Sequence, residues 1–417
     1  MSDVAAPTSG EEYDPFAVFD EAAGAGTVTD PYPVFHELRA ECPVRAGSFH
    51  GRFGVDELID PAFLDDGAVP YTPLSFEAVQ AVLKDGETFS SSGYASSMGL
   101  VMGHSILEMD EPEHHEYRSL IQQAFTRKAM DRWEVELVGP IVHGLIDAFV
   151  DDGRADLVRE LFWPFPVHVI AGMLGLPAEE LPQFHRKAVE LISIGFDIER
   201  GLTASQWLYD FFAAVIAERR QEPRGDVISV LAEAELEGQR LTDEEIIAFL
   251  RLLLPAGAET TYRSSSNLMF GLLSRPDQLA RLRDDRSLMA PAIEEGLRWE
   301  PPLTGIGRTA TRDVEVDGVL IPAGSPINVC LGGANRDPAR WDHPDDFDLL
   351  RDPKQHLAFA FGPHMCLGMH LARMETTVAI NAVLDRLPDV RLDPDAPAPA
   401  ITGLTFRAPR ALPVRFG

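Results

Sequence analysis

From about residue 75 to residue 300, apolar side chains recur every three or four positions, the period of helices with one face turned to a core. Beyond that stretch the chain becomes turn-rich and its short alternating runs predict strands, until a last helix follows Cys366. The expected class is mainly α with minor β. The most informative helix opens at Thr242-Asp243-Glu244-Glu245, a Thr-x-x-Glu capping box, runs through Leu273, and stops at Ser274-Arg275-Pro276. At about 30 residues it spans roughly 45 Å. Few charges interrupt it, so it is expected to cross the domain interior, with a kink or opened turn where Pro255 and Gly257 weaken it.

Composition narrows the picture. The 417 residues suffice for a large core, and no linker or internal repeat divides them. The expected organisation is a flexible acidic N-terminus over 1–25 and a single domain over 26–417. The three cysteines, Cys42, Cys330 and Cys366, are too few and too scattered for a disulfide framework or a zinc cluster, which fits a reducing cytoplasm. The longest greasy stretch, from Leu161 to Pro177, is broken by Pro164, Pro166 and His168, so no membrane span is expected. A net charge of −30 excludes nucleic acid and anionic membrane as main partners. Against that background Arg127, Lys128 and Arg132 form a basic cluster, which is either a solvated helix end or a docking patch.

Four groups of residues carry candidate chemistry. Cys366 lies in Phe359-Ala360-Phe361-Gly362-Pro363-His364-Met365-Cys366-Leu367-Gly368, where turn-forming residues present one sulfur and a helix begins at once. The helix N-terminus is expected to lower the thiol pKa, as for a metal-binding thiolate; a buried inert cysteine is the alternative. In the long helix, Glu259 stands beside Thr260, and burial would raise the pKa of this acid and make the pair a proton route into a dry cavity. Glu295 and Arg298 sit one turn apart on a helix and suit an ion pair. His114 and Arg118, four apart, join Arg308 and His364 as donors able to bind carboxylates.

These signals, in this order, resemble a bacterial cytochrome P-450, a heme-thiolate monooxygenase, over nearly the whole chain. The cysteine loop carries the specificity: Phe359, Gly362, His364, Cys366 and Gly368 fit the F-x-x-G-x-[HR]-x-C-x-G pattern, with Ala360 in place of a frequent glycine. Ala256-Gly257-Ala258-Glu259-Thr260-Thr261 resembles the oxygen-activating groove, and Glu295-x-x-Arg298 the structural E-x-x-R motif, joined by Arg351.

The resemblance implies a single triangular domain with a long central helix over heme b. Cys366 would be the axial iron ligand, with His114, Arg118, Ala256, Gly257, Arg308, Phe359, Gly362, His364 and Gly368 around the heme. Glu259 and Thr260 would be catalytic, with Glu295, Arg298 and Arg351 structural. Position relative to the motifs suggests Leu252, Ala256, Leu303, Thr304, Thr405 and Phe406 at the substrate pocket, capped by 91–106 and 191–196. Arg407 and Arg410, near the chain end, are expected to face solvent.

The implied reaction inserts one atom of O2 into a largely apolar small organic molecule. Electrons would come from NAD(P)H through a separate reductase and ferredoxin, because the sequence after Cys366 holds no nucleotide or iron–sulfur motif. The expected protein is a cytoplasmic monomer. A peroxide-driven hydroxylase of the same fold and a non-catalytic heme-binding protein are the alternatives; the pair Glu259 and Thr260 argues against both.

Overall fold

A computed structural model describes residues 14–55, 68–195 and 197–417. Its axis is the helix Asp243–Leu273, 31 residues long. The capping box closes its start: the Thr242 hydroxyl accepts the Glu245 N–H at 3.3 Å, and the Glu245 carboxylate accepts the Thr242 N–H at 2.6 Å. The helix continues unbroken through Pro255, so the expected opened turn is absent. One lost backbone bond costs about 3 kcal/mol, and the packing around Pro255, itself buried, outweighs that. Helices Pro164–Met173, Ile198–Gln221, Met289–Trp299 and Met369–Arg386 surround this axis. A continuous apolar core joins them, from Val101 through Phe162, Phe212 and Leu250 to Val383.

Gly257 has a specific part in that packing. A Cβ there would stand 2.9 Å from Ile170 Cδ1, so the missing side chain lets the central helix press against helix Pro164–Met173. The absent side chain at Gly257 thus serves helix packing.

Five short strands form the largest sheet, in the order Val44–Ala46, Tyr71–Pro73, Pro326–Cys330, Gly305–Ala310, Phe89–Ser90. Arg308 pairs with Ile327 in its antiparallel centre, which fixes where that guanidinium starts. The N-terminus departs from expectation within residues 14–25. Asp14 caps a helix, Pro15–Ala22, by accepting the Phe16 N–H at 2.9 Å, and Phe19 of that helix is buried. Residues 1–13 lie outside the described chain. Among the described residues no helix is long and apolar enough to cross a membrane.

Candidate active site

The cysteine loop is held from several directions. The Cys366 N–H donates to the Phe359 carbonyl at 2.9 Å, and the Met365 N–H to that of Gly362 at 3.1 Å. The side chain of Asn335 accepts the Leu357 N–H at 2.7 Å, fixing the loop's entry. Gly362 is obligatory: its φ is +73°, and a Cβ would lie 2.4 Å from the Leu83 carbonyl oxygen. Ala360 also occupies the left-handed region, with φ of 58°. The replacement of a frequent glycine there is therefore not free, since such a backbone costs an alanine about 1 kcal/mol.

Cys366 is exposed as a residue, although protein packs around its thiol. Burial raises its pKa, and the Gly368 N–H, Arg118 and Arg373 only partly offset that rise. Desolvation by the surrounding protein thus works against the lowering expected from the helix start.

Beside the loop lies a concentration of donors. His114 and His364 have ring centroids 4.0 Å apart. Burial, with Arg308, His114 and Arg118 nearby, pushes the His364 imidazole down to about 3. Arg118 donates to the Met365 carbonyl at 2.6 Å and Arg308 to that of Gly307 at 2.6 Å; among the described residues neither pairs with a carboxylate. His114 Nδ1 meets Glu111 at 3.0 Å, while its buried Nε2 has no partner. Guanidinium groups held in the protein without a carboxylate, and a buried ring nitrogen without a partner, are costly, so this cluster suits an anionic ligand.

On the central helix, Leu252, Ala256, Thr260 and Ser264 are accessible positions spaced by four on an otherwise largely buried rod. The stripe leads to the cysteine loop, because Ser264 and Leu268 share a small cavity with Phe359, Ala372 and Arg373. The Thr260 hydroxyl donates to the Ala256 carbonyl at 2.8 Å, which holds its lone pairs outward. Glu259 is 4% exposed and does not reach solvent. Burial raises its pKa, Arg263 opposes the rise and Asp20 adds to it.

Two further contacts join this helix to the one after the cysteine. Ser265 and Thr376 hydroxyls lie 3.0 Å apart, and Glu375 hydrogen-bonds Thr261. Burial lifts the Glu375 carboxyl to about 8.

Behind the loop, Arg298 is 1% exposed and forks onto Glu295 at 2.7 and 2.8 Å. It also donates to the carbonyls of Asn335, Pro344 and Asp346. Arg351 reaches Glu295 at 3.1 Å from the other side. Glu294, the residue before Glu295, grips Arg373 at 2.6 and 2.8 Å. Burial would raise this carboxyl, but Arg373 and His356 overcome it and hold it at about 2. Arg373 in turn lies 4.5 Å over the Phe359 ring.

The pocket expectations fare unevenly. Leu252 and Ala256 belong to the accessible stripe, and Leu303 bridges Phe406 across the C-terminal turn. Thr304 is turned away: it is fully buried, and its hydroxyl donates to the Leu404 carbonyl at 2.6 Å. Thr405 meets His50 at 3.2 Å, and Phe406 lies over Arg263. Arg407 does not face solvent; it is 1% exposed and paired with Glu300 at 2.6 Å, a compensation available only in the fold. In the expected cap, the Met102 carbonyl accepts from Arg251, as does that of Ser205, which lies outside it. Phe196 lies outside the described residues.

Sequence reasoning missed Asp20, Arg251, Arg263 and Glu375. The spacing Glu259-x-x-x-Arg263 on a helix was a usable signal; Asp20 offered none.

Comparison with known proteins gives a consistent result. The cytochrome P-450 family model matches residues 197–404. The cytochrome P-450 monooxygenase PikC of Streptomyces venezuelae is 35% identical over 95% of this chain and 93% of its own length. A steroid C26-monooxygenase of Mycolicibacterium smegmatis is 37% identical over 86% of this chain and 90% of its own. The crystal structure of CYP109E1 from Bacillus megaterium in complex with testosterone matches with a TM-score of 0.81 and 31% identity, covering 93% of this chain and 99% of the other.

Proposed function

The chain belongs to the cytochrome P-450 family of heme- and oxygen-using monooxygenases, and we propose that it oxidises a largely apolar small organic substrate with electrons from a ferredoxin and its reductase. The observation that carries this reading is the pairing of a single loop-presented thiol, Cys366, with an acid and alcohol, Glu259 and Thr260, on the helix that packs against its own.

The residues fit the cofactor. Cys366 offers one sulfur, and His114, Arg118, Arg308 and His364 form a polar set in which neither arginine pairs with a carboxylate among the described residues and His114 Nε2 has no partner, suited to two propionates. Ala256, Phe359 and Gly368 supply the small or flat surroundings, and a Cβ at Gly368 would meet nothing within 4 Å. Heme held there supplies reductive activation of dioxygen, with one oxygen atom entering the substrate and the other leaving as water.

The chain's own task is then to position and to move protons. Thr260, anchored to Ala256, presents its hydroxyl oxygen as acceptor and relay at the oxygen side. Glu259, an acid whose burial favours the protonated form, refills it. Glu295, Arg298 and Arg351 hold the scaffold behind the thiol.

Leu252, Ala256 and Leu303 give the substrate an apolar wall, and residues 91–106 with 191–195 form its roof. The relatives named for steroid chemistry favour a substrate of that apolar character. Arg127, Lys128 and Arg132 are exposed and suit an acidic electron carrier. We place the protein in the cytoplasm as a monomer.

The reduced protein under carbon monoxide should show the strongly red-shifted band of thiolate-bound heme, and an apolar compound library should yield ligands that convert the heme from low to high spin. Turnover of such a ligand with ferredoxin, reductase, NAD(P)H and O2 completes the test. A missing red-shifted band, or product formed only with peroxide, overturns the reading.

A further inference from the structure

One guanidinium nitrogen in the core serves two carboxylates. Arg263 Nη2 donates to Asp20 Oδ1 at 2.6 Å and to Glu259 Oε2 at 3.1 Å. The side chains of Arg263 and Glu259 are 4% and 5% exposed, whereas that of Asp20 is 24% exposed. Glu259 and Arg263 are one turn apart on the central helix; Asp20 arrives from the N-terminal helix Pro15–Ala22.

That helix is seated by aromatic contacts. Phe16 packs on Trp163 and His185 at 4.7 and 4.6 Å, and Phe19 on Phe406 at 5.3 Å. Phe406 itself lies 5.4 Å from the Arg263 guanidinium, and the Tyr262 ring 4.7 Å. The guanidinium is therefore walled by rings, and its buried Nε has no acceptor. Its charge is divided between two acids.

Two anions that share one cation compete, and each makes the other easier to protonate. Asp20 has the shorter bond and partial access to water, while Glu259 has neither. A proton entering the triad is thus favoured on Glu259. The groups acting on that carboxyl are Arg263 and Asp20, with the Tyr262 phenol, itself pushed upward by burial, coupled to all three. A relay acid must take up and release a proton at the working pH. An undivided salt bridge to Arg263 would instead fix Glu259 as a permanent carboxylate.

We propose that Asp20 is a positioning residue for the oxygen-side acid: by taking the shorter share of Arg263, the N-terminal helix keeps Glu259 exchangeable. This rests on the reading of Glu259 as the relay acid.

The test is a pH titration of the ferric holoenzyme by infrared difference spectroscopy, following the protonated carboxyl band that Glu259→Gln removes. In Asp20→Asn the midpoint should fall by about one pH unit, a roughly tenfold loss of proton affinity. Asp20→Glu should restore it. In turnover with a ligand chosen by its spin-state shift, Asp20→Asn should divert several-fold more reducing equivalents to peroxide at neutral pH. An unmoved midpoint in Asp20→Asn overturns the proposal, including where thermal stability drops, because Asp20 then only anchors its helix. If Glu259→Gln neither removes a carboxyl band nor uncouples turnover, the relay reading of Glu259 falls as well, which separates the two failures.

Discussion

Removing Arg298 should bring the fold close to collapse, and the cost can be worked from its bonds. Arg298→Met deletes two contacts to the Glu295 carboxylate, at 2.7 and 2.8 Å, and leaves that buried charge with Arg351 at 3.1 Å and the Asp348 N–H at 2.8 Å. Breaking a buried pair from one side costs about 3–5 kcal/mol. Three carbonyls also lose a donor. That of Asp346 keeps Arg351 at 2.9 Å, whereas those of Asn335 and Pro344 lose bonds of 3.2 and 2.7 Å. Each orphaned acceptor adds about 1 kcal/mol or more unless water reaches it.

The expected loss is about 5 kcal/mol, the lower end of a domain's whole stability. Glu295→Gln should cost less, because Arg298 keeps its carbonyls, and the double variant should fall short of additivity by about 2 kcal/mol. Urea unfolding at low temperature, read by circular dichroism and by heme absorbance, measures all three. Arg298→Lys, which keeps the charge but not the fork, should lie between parent and Met variant. Strict additivity, or a Met variant within about 1 kcal/mol of the parent, would refute the reasoning.

Three other outcomes are expected. Thr260→Ala should retain heme and substrate binding yet release most reducing equivalents as peroxide; tightly coupled turnover in that variant would remove the role assigned to the hydroxyl. Glu375 binds its proton up to about 8 in the folded protein, well above the unfolded value, so the folded state holds a proton the unfolded chain has lost. Stability should therefore fall as pH rises through that window, by roughly 3 kcal/mol at pH 7, and Glu375→Gln should flatten the dependence of the unfolding midpoint on pH. Reversing the charges of Arg127, Lys128 and Arg132 should slow electron transfer and weaken its salt dependence in stopped-flow reduction by an acidic ferredoxin; unchanged rates would place the docking face elsewhere.

Local chemistry made the long helix and the cysteine loop legible in the sequence. A capping box, a run of apolar residues and a Gly-Pro turn act over a few positions, and Thr242, Leu273 and Gly362 mark the corresponding boundaries and turn. What escaped depends on partners brought together by folding. Pro255 weakens any helix, yet packing keeps this one continuous. The setting of Gly257 against Ile170, of Arg407 against Glu300, and of Thr304 under Leu404 is decided by chain segments far away in sequence. Asp20 meets Arg263 across 243 positions. The desolvation opposing a lowered Cys366 pKa escaped for a related reason: a helix start can be read from the sequence, but the amount of protein around the thiol cannot.

The proposed substrate roof and the thiol loop are built from separable stretches of chain. The thiol loop is fixed by Glu295, Arg298, Asn335, Gly362 and Arg373, whereas the segment around Met102 and the helix bearing Ser205 are tied to the central helix through a different residue, Arg251. Mutational drift can therefore recut the roof, and with it the choice of substrate, while leaving the thiol's setting intact. In laboratory evolution, libraries confined to 91–106 and 191–205 should yield new selectivities at little loss of cofactor, and equal diversity behind the cysteine should yield chiefly heme-free protein.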